Sequence, residues 1–83
     1  MVDLKLLVAK DCDHCSAAKM AVDKAVEGFE DQVDVSTVNL SKNLPEALHF
    51  KAAATPSVAL NGKVEFIGDV DESKLRKRLM ELI

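Results

Sequence analysis

The sequence contains no tryptophan and no tyrosine, and its only aromatic residues are three scattered phenylalanines. Proteins that hold single-stranded nucleic acids stack the bases on aromatic side chains, and this chain offers little for such stacking. A basic excess is also missing, since the formal net charge is −3. Because neutralising phosphates requires a basic surface, we expect no nucleic-acid partner.

Long hydrophobic runs are absent as well, and no apolar stretch is long enough to cross a bilayer. The first residues, MVDLKLLVAKD, carry Asp3 and Lys5 inside their apolar stretch and have no basic leader. This pattern predicts a first strand and not a signal peptide. We therefore expect a cytoplasmic protein with no membrane partner.

What the chain does contain is the composition of a folded domain. Of its 83 residues, 48% are hydrophobic and 30% are charged. A chain of this size buries roughly 60% of its unfolded surface on folding, which is enough for one modest core. We predict a single domain over residues 1–83 and a monomer.

Apolar periodicity predicts the element order βαβαββα. The predicted elements are strand 2–9, helix 13–29, strand 33–40, helix 43–54, a hairpin over 57–68 and a last helix after Asp71. Asn61-Gly62 between alternating apolar residues is a strong hairpin signal. The first helix should connect two parallel strands. The resulting fold class is α/β, with a four-stranded mixed sheet and helices on both faces.

Two finer expectations concern the sheet and the last helix. The apolar phase slips between Val35 and Val38, which is consistent with a bulge in the second strand. In the last helix, Asp71 is a good N-cap, with Val70 and Leu75 at the positions of a hydrophobic staple. The buried stripe of that helix is predicted to be Leu75, Leu79, Leu82 and Ile83.

The chain has only two cysteines, Cys12 and Cys15, and they flank Asp13 and His14. One pair so close together cannot be a structural disulfide framework, and in a reducing compartment such a pair is more often catalytic or metal-binding. Cys15 shares the apolar stripe of the first helix with Ala18, whereas Cys12 precedes the first turn. One sulfur should therefore be sheltered and the other exposed at a helix N-terminus.

Redox chemistry at this pair would need a thiolate, because the thiol is a poor nucleophile. A helix N-terminus lowers the pKa of a nearby cysteine. Asp13 and His14 are the candidate residues that tune the pKa of Cys12, since a like charge opposes the thiolate and a cation or hydrogen-bond donor favours it. Cys15 is close enough to displace a mixed disulfide on Cys12.

Metal carriage is the main alternative. Small copper and zinc chaperone domains also place C-x-x-C between a first strand and a helix, but they usually have Met two residues before the first cysteine and end in a strand. Here that position is Lys10 and the chain ends in a predicted helix. Two cysteines supply only two of the four ligands that zinc prefers, so we assign no metal site. A redox-inert adaptor and two incidental thiols are the remaining alternatives.

Three motifs together resemble the small single-domain members of the thioredoxin/glutaredoxin superfamily. They are CDHC directly after the first strand, ATPS at 54–57 before a strand, and NGKVEFIGDVDESKLRKRL as hairpin and closing helix. The similarity covers essentially the whole chain. It implies a thioredoxin fold and a protein disulfide oxidoreductase with no cofactor besides its own redox-active disulfide.

The resemblance also implies roles for individual residues. Cys12 would be the attacking cysteine and Cys15 the resolving one. Thr55 and Pro56 would bind substrate, with Pro56 in the cis form beside the cysteines. Implied partners are disulfide-containing proteins, with a reductase or glutathione as the electron donor.

Some positions depart from the family patterns. Thioredoxins usually have Gly-Pro between the cysteines, where this chain has Asp13-His14. They also place a buried Asp six residues before the first cysteine, and that position is Leu6 here. The usual proton acceptor is therefore missing, and the sequence does not choose between thioredoxin-like and glutaredoxin-like activity.

Overall fold

The computed structural model describes residues 1–10, 12–42, 45, 48, 55–68 and 70–83. The elements are β1 (Val2–Val8), α1 (Cys15–Ala25), β2 (Val33–Asn39), β3 (Ser57–Leu60), β4 (Lys63–Ile67) and α2 (Glu72–Leu82). The helix predicted over 43–54 lies outside the described residues, apart from Pro45 and Leu48, which are helical. Within the described ranges, no helix is both long and apolar enough to span a membrane.

The four strands form one mixed sheet in the order β2-β1-β3-β4. β1 pairs in parallel with β2 and antiparallel with β3. The parallel pair confirms the predicted strand–helix–strand crossover. β1 is apolar on both faces because it lies inside the sheet, where Leu6 and Leu7 point to opposite sides and are both buried.

Both described helices pack on the same face of the sheet. Their buried residues form one core with those of the strands: Val2, Leu4, Leu6, Ala18, Val22, Ala25, Val26, Val33, Val58, Leu60, Leu75 and Leu79. On the opposite face, Leu7 and Ala59 are fully buried. Apart from Pro45 and Leu48, residues 43–54 lie outside the described residues, so a helix on this second face stays a prediction.

The predicted bulge in β2 is wrong. The register with β1 is unbroken from the pair Val2–Val33 to the pair Val8–Asn39. The apolar phase changes because β2 is an edge strand, where a residue on the helix side need not be covered. Val35 is accordingly 39% exposed, whereas Val38 packs in the cluster on the opposite face.

A bulge occurs instead between β3 and β4. Ala59 pairs with Val64 and Val58 pairs with Phe66, so Glu65 is an extra residue in β4. The Glu65 carboxylate accepts a hydrogen bond from Nε of Arg78 on α2 at 2.7 Å. This hydrogen bond raises the pKa of Arg78 above its ordinary value. The extra residue therefore ties the edge of the sheet to the last helix.

The turn between β3 and β4 confirms the hairpin prediction. Asn61 and Gly62 both have positive φ, 53° and 84°, as a two-residue type I′ turn requires. Asn61 also extends the sheet, because its amide donates to the carbonyl of Asp3 at 2.7 Å. In return, the amide of Asp3 donates to the Asn61 side-chain oxygen at 2.9 Å.

The start of α2 is also as predicted. The Asp71 side chain accepts a hydrogen bond from the amide of Lys74 at 3.1 Å, and Val70 and Leu75 both pack in the core. The prediction for Ile83 is wrong, since this residue is 49% exposed. Leu82 completes the apolar stripe, and Ile83 lies one residue beyond the end of the helix.

The C-terminal end of α1 is fastened by Arg76 of α2. Nη1 of Arg76 donates to the backbone carbonyls of Lys24, Ala25 and Glu27 at 3.4, 3.3 and 2.9 Å. The guanidinium also lies over the ring of Phe29, 4.7 Å from its centroid. One cation thus donates to three carbonyls at and just beyond the end of the helix, where a positive charge interacts favourably with the helix dipole.

The turn that follows α1 uses a glycine and a carboxylate. Gly28 has a φ of +88°, and its amide donates to both carboxylate oxygens of Glu30 at 3.1 Å. Hydrogen bonds from the Glu30 and Gly28 amides, together with the nearby Arg76 charge, lower the pKa of Glu30. The helix therefore ends earlier than the sequence predicts, at Ala25 and not near 29.

Replacing Arg76 tests this fastening. We expect Arg76→Ala to lower the free energy of unfolding by about 1–2 kcal/mol, because carbonyl hydrogen bonds, a cation–π contact and a favourable dipole interaction are lost together. Urea denaturation measures the effect. Arg76→Lys should recover only part of it, since an ammonium lacks the planar fork. Lys77→Ala, at an exposed position of the same helix, is the control, and an equal loss there would contradict the assignment.

Candidate active site

The two cysteines lie where β1 leads into α1. β1 ends at Val8, and Cys15 is the first residue of α1. Cys12 and Cys15 are joined by a disulfide, with their Cα atoms 5.5 Å apart. The amide of Cys15 donates to the carbonyl of Cys12 at 3.5 Å. The pair therefore sits at the N-terminal end of a helix, as the sequence predicts.

Exposure does not separate the two cysteines as expected. Cys12 and Cys15 are both half-buried in the disulfide form. The reason is that the first turn of α1 lies at the end of the sheet, where a groove opens beside Cys15. The stripe prediction holds from Ala18 onward, since Ala18 and Val22 are fully covered.

Asp13 and His14, the two residues between the cysteines, are both exposed. His14 is the N-cap of α1, and its carbonyl accepts the first helical hydrogen bond from Ala18 at 3.0 Å. Its side chain makes no capping bond to the helix. Both side chains are therefore placed beside the disulfide and in solvent, where their influence on a thiolate is electrostatic and screened by salt.

Thr55 and Pro56 reach the same end of the sheet as the cysteines. Leu7 of β1 pairs with Ser57 of β3, so the antiparallel register puts Pro56 level with Val8. The Thr55–Pro56 peptide bond is cis, which is the form that the resemblance implies. Pro56 is buried and its carbonyl accepts a hydrogen bond from Gly68 at 2.8 Å.

A residue that the sequence analysis does not single out holds the loop before Cys12. The hydroxyl of Ser41 accepts a hydrogen bond from the amide of Lys10 at 3.0 Å. Ser41 is itself oriented by Asn39, whose side-chain oxygen accepts from the Ser41 amide at 2.9 Å. The sequence signal for this contact is the polar run after the second strand, because an Asn side chain often accepts a hydrogen bond from the amide two residues on and so forms a turn.

A groove of about 250 Å³ opens beside Cys15. Its lining residues come from β1, the following residue, β2 and the first turns of α1: Leu6, Val8, Ala9, Cys15, Ser16, Lys19 and Thr37. Lys19 was also missed by the sequence analysis, although it lies four residues after Cys15 and therefore on the same side of the helix.

Metal ligands do not converge at this place. In the described part of the chain, no three His, Cys, Asp or Glu side chains are grouped so that they could hold a metal ion. The two sulfurs are bonded to each other. This arrangement can undergo thiol–disulfide exchange, in which the disulfide is reduced to a pair of thiols. One cysteine precedes the helix and the other lies within its first turn.

Comparison with known proteins agrees with this chemistry. The sequence profile of the thioredoxin domain family matches residues 2–81. A thioredoxin of Methanocaldococcus jannaschii is 36% identical over 67 residues, which cover 81% of this chain and 79% of that one. A probable thioredoxin of Archaeoglobus fulgidus is 30% identical over 82 residues, which cover 99% of this chain and 90% of that one.

Solved structures show the same fold. Thioredoxin-2 of a malaria parasite superposes with a TM-score of 0.81 at 22% identity, covering 98% of this chain and 82% of that one. At that identity the likeness speaks for the fold alone, and it confirms the predicted thioredoxin fold. With the matching family profile and the Cys12–Cys15 disulfide, the chain belongs to the thioredoxin family and is a thiol–disulfide oxidoreductase.

Proposed function

We propose that this protein reduces disulfides in other proteins, with Cys12 as the attacking cysteine and Cys15 as the resolving one. The observation that carries the proposal is the position of the disulfide at the start of α1. Cys12 precedes the helix, where the partial positive charge of the N-terminus favours a thiolate. Cys15 is already a residue of the helix.

The reaction proceeds by two thiol–disulfide exchanges. The Cys12 thiolate attacks one sulfur of the substrate disulfide, forms a mixed disulfide and releases the other substrate sulfur as a thiolate that takes up a proton. Cys15 then loses its proton and attacks the Cys12 sulfur. The Cys12–Cys15 bond forms, and the second substrate sulfur leaves as a thiol. Two electrons pass from the dithiol to the substrate.

Thr55 and Pro56 are proposed to bind the substrate peptide. Pro56 lies level with the end of β1, and its carbonyl is already occupied by the Gly68 amide. Within the described part of the chain, neither the amide nor the carbonyl of Thr55 is bonded to other backbone groups. Thr55 is therefore the residue that can pair with an extended peptide next to Cys12.

The electron donor is proposed to be a protein reductase, as the thioredoxin relatives suggest. Glutathione is the competing donor. Turnover with a protein disulfide and with a glutathione mixed disulfide, under matched reductases, distinguishes thioredoxin-like from glutaredoxin-like activity. We further propose that the protein acts as a cytoplasmic monomer and needs no cofactor besides its own disulfide.

Single cysteine variants test the division of labour. Cys15→Ser should accumulate a covalent adduct with substrate through Cys12, because no thiol is left to displace it. Cys12→Ser should accumulate none. Mass spectrometry of a reaction with a model disulfide protein measures both. Adduct formation by Cys12→Ser at the rate of Cys15→Ser would show that the roles are reversed or shared.

Asp13 and His14 should affect the Cys12 thiolate in opposite directions. Asp13→Asn removes a like charge beside the thiolate, so the thiolate should form at lower pH and the disulfide should become more oxidising. His14→Ala removes a favourable donor and should do the reverse. At solvent-exposed positions each shift should be below about one pKa unit, since charges 4 Å apart interact by about 1 kcal/mol in water.

Thiolate absorbance against pH in the Cys15→Ser background isolates Cys12 and measures these shifts. Salt should shrink both, because the charges are exposed. Ser16→Ala, which leaves the charge unchanged on an exposed residue of the same turn, is the control. Shifts of the same sign for Asp13→Asn and His14→Ala would mean that local charge does not tune the site.

Ser41 should act on the redox equilibrium through the loop. Ser41→Ala leaves the Lys10 amide without its acceptor, so we expect a loss of about 1 kcal/mol in stability and a disulfide that is a few-fold easier to reduce, since the loop holds the cysteines less closely. Ser41→Thr keeps the hydroxyl and should restore the potential. Equilibration with a dithiol buffer measures it. Ser36→Ala, exposed on β2, should change neither quantity.

A further inference from the structure

The groove beside Cys15 is lined mostly by apolar or neutral side chains. β1 and the residue after it contribute the apolar side chains of Leu6, Val8 and Ala9. The neutral Thr37 comes from β2. Lys19 of α1 is therefore the one charged side chain among the described residues that line this groove. Lys19 is thus a single cation with apolar side chains on one side and water on the other.

The other charged groups near the start of α1 are not among the described residues that line the groove. Asp13 and His14 precede the helix and are exposed outside the groove lining. Asp23, one turn after Lys19, is exposed and is likewise not part of the lining. Leu6 itself offers no group that could take a proton. Among the described residues, Lys19 is thus the charged residue that lines this groove together with Cys15.

We propose that Lys19 activates Cys15 for the resolving step, and that the groove is the route by which the Cys15 proton leaves to water. The inference rests on the proposed function, in which Cys15 must become a thiolate before it can attack. Residues four apart on a helix have Cβ atoms about 5–6 Å from each other, so the ammonium can reach the neighbourhood of the sulfur. Lys19 acts only by its charge and takes no proton from Cys15.

The resolving step combines one proton loss with one thiol–disulfide exchange. The Cys15 thiol gives its proton to a water molecule in the groove, which passes it to the solvent. The thiolate attacks the Cys12 sulfur of the mixed disulfide, and the bond between Cys12 and the substrate breaks. The substrate sulfur leaves with the electron pair and takes a proton from solvent. No oxidant or reductant beyond the substrate disulfide takes part.

The size of the effect follows from Coulomb's law. Two unit charges about 6 Å apart in a mostly aqueous surrounding shift a titration by about half a unit, which is about threefold in thiolate fraction near pH 7. A more stable thiolate is also a weaker nucleophile, and this offsets about half of the gain. Removing the charge should therefore slow resolution about twofold, and reversing it about fourfold.

A stopped-flow reaction with one equivalent of uncharged dithiodipyridine measures the step. The reduced protein releases one thiopyridone when the first cysteine attacks and a second when the mixed disulfide is resolved. Near pH 7, Lys19→Met should slow the second phase about twofold and Lys19→Glu about fourfold, with the first phase unchanged. Lys19→Arg should keep the second phase at its original rate.

The pH profile separates a charge effect from a structural one. Near about pH 9.5 a thiol of ordinary pKa is mostly ionised, so a nearby charge should no longer limit resolution, and Lys19→Met should there be as fast as the unmodified protein or faster. Slowing by the same factor at both pH values would overturn the proposal, because loss of a charge cannot cause it. Lys24→Met, in the last turn of the same helix and outside the groove, is the matched control.

Two further outcomes are decisive. If Lys19→Met and Lys24→Met give the same second phase near pH 7, Lys19 has no special part in resolution and the inference fails. A first phase that keeps its original rate in Cys12→Ser would instead contradict the proposed roles of the cysteines, whatever Lys19 does. The single-cysteine variants thus separate failure of this inference from failure of the proposed function.

Discussion

The hydrogen-bonded register of β1 with its two neighbours is the constraint on which the site depends. Because β2 runs parallel to β1, the ends of both strands reach the same edge of the sheet, and Ser41 comes beside Lys10. Because β3 runs antiparallel, its beginning reaches that edge too, and Pro56 arrives next to Val8. Segments far apart in sequence therefore meet at the cysteine loop, although no sequence pattern in any of them indicates this contact.

The helix that presents Cys15 is held along one side and at its C-terminal end. Ala18, Val22 and Ala25 bury one side of α1 against the sheet, and Arg76 fastens its last carbonyls. Cys15 is only half-buried and is not one of these anchoring residues. The turn with Cys15 can therefore border a groove that is open to water. A reactive thiol requires such access to solvent, whereas a core residue does not.

Features set by local chemistry could be predicted from the sequence. Asn61-Gly62 forms the expected turn because both residues tolerate positive φ, and Asp71 caps α2 because its side chain reaches an amide three residues on. The place of Cys12 ahead of a helix also follows from neighbouring residues alone. The family resemblance added the cis bond before Pro56, for which no local rule exists.

Features set by pairing between distant strands could not be predicted in this way. The sequence does not say that β2 lies at an edge, so the slip in apolar phase between Val35 and Val38 is consistent with a bulge when only the sequence is known. The hydrogen bond between Lys10 and Ser41 joins residues 31 positions apart and requires the parallel register to be known. The groove at Lys19 likewise needs the helix and both strands in place, since its walls come from all three.

The bulge at Glu65 makes β4 sensitive to changes in its length in a way that its composition does not suggest. Val64 and Phe66 are two residues apart and yet face opposite layers of the protein, because one extra residue lies between them without a partner. Deleting that residue would leave the four pairs of the β3–β4 ladder intact, with Val64 and Phe66 still facing opposite layers. It would remove the carboxylate to which Arg78 donates, so a β4 shorter by one residue would keep its pairing and lose its link to the last helix.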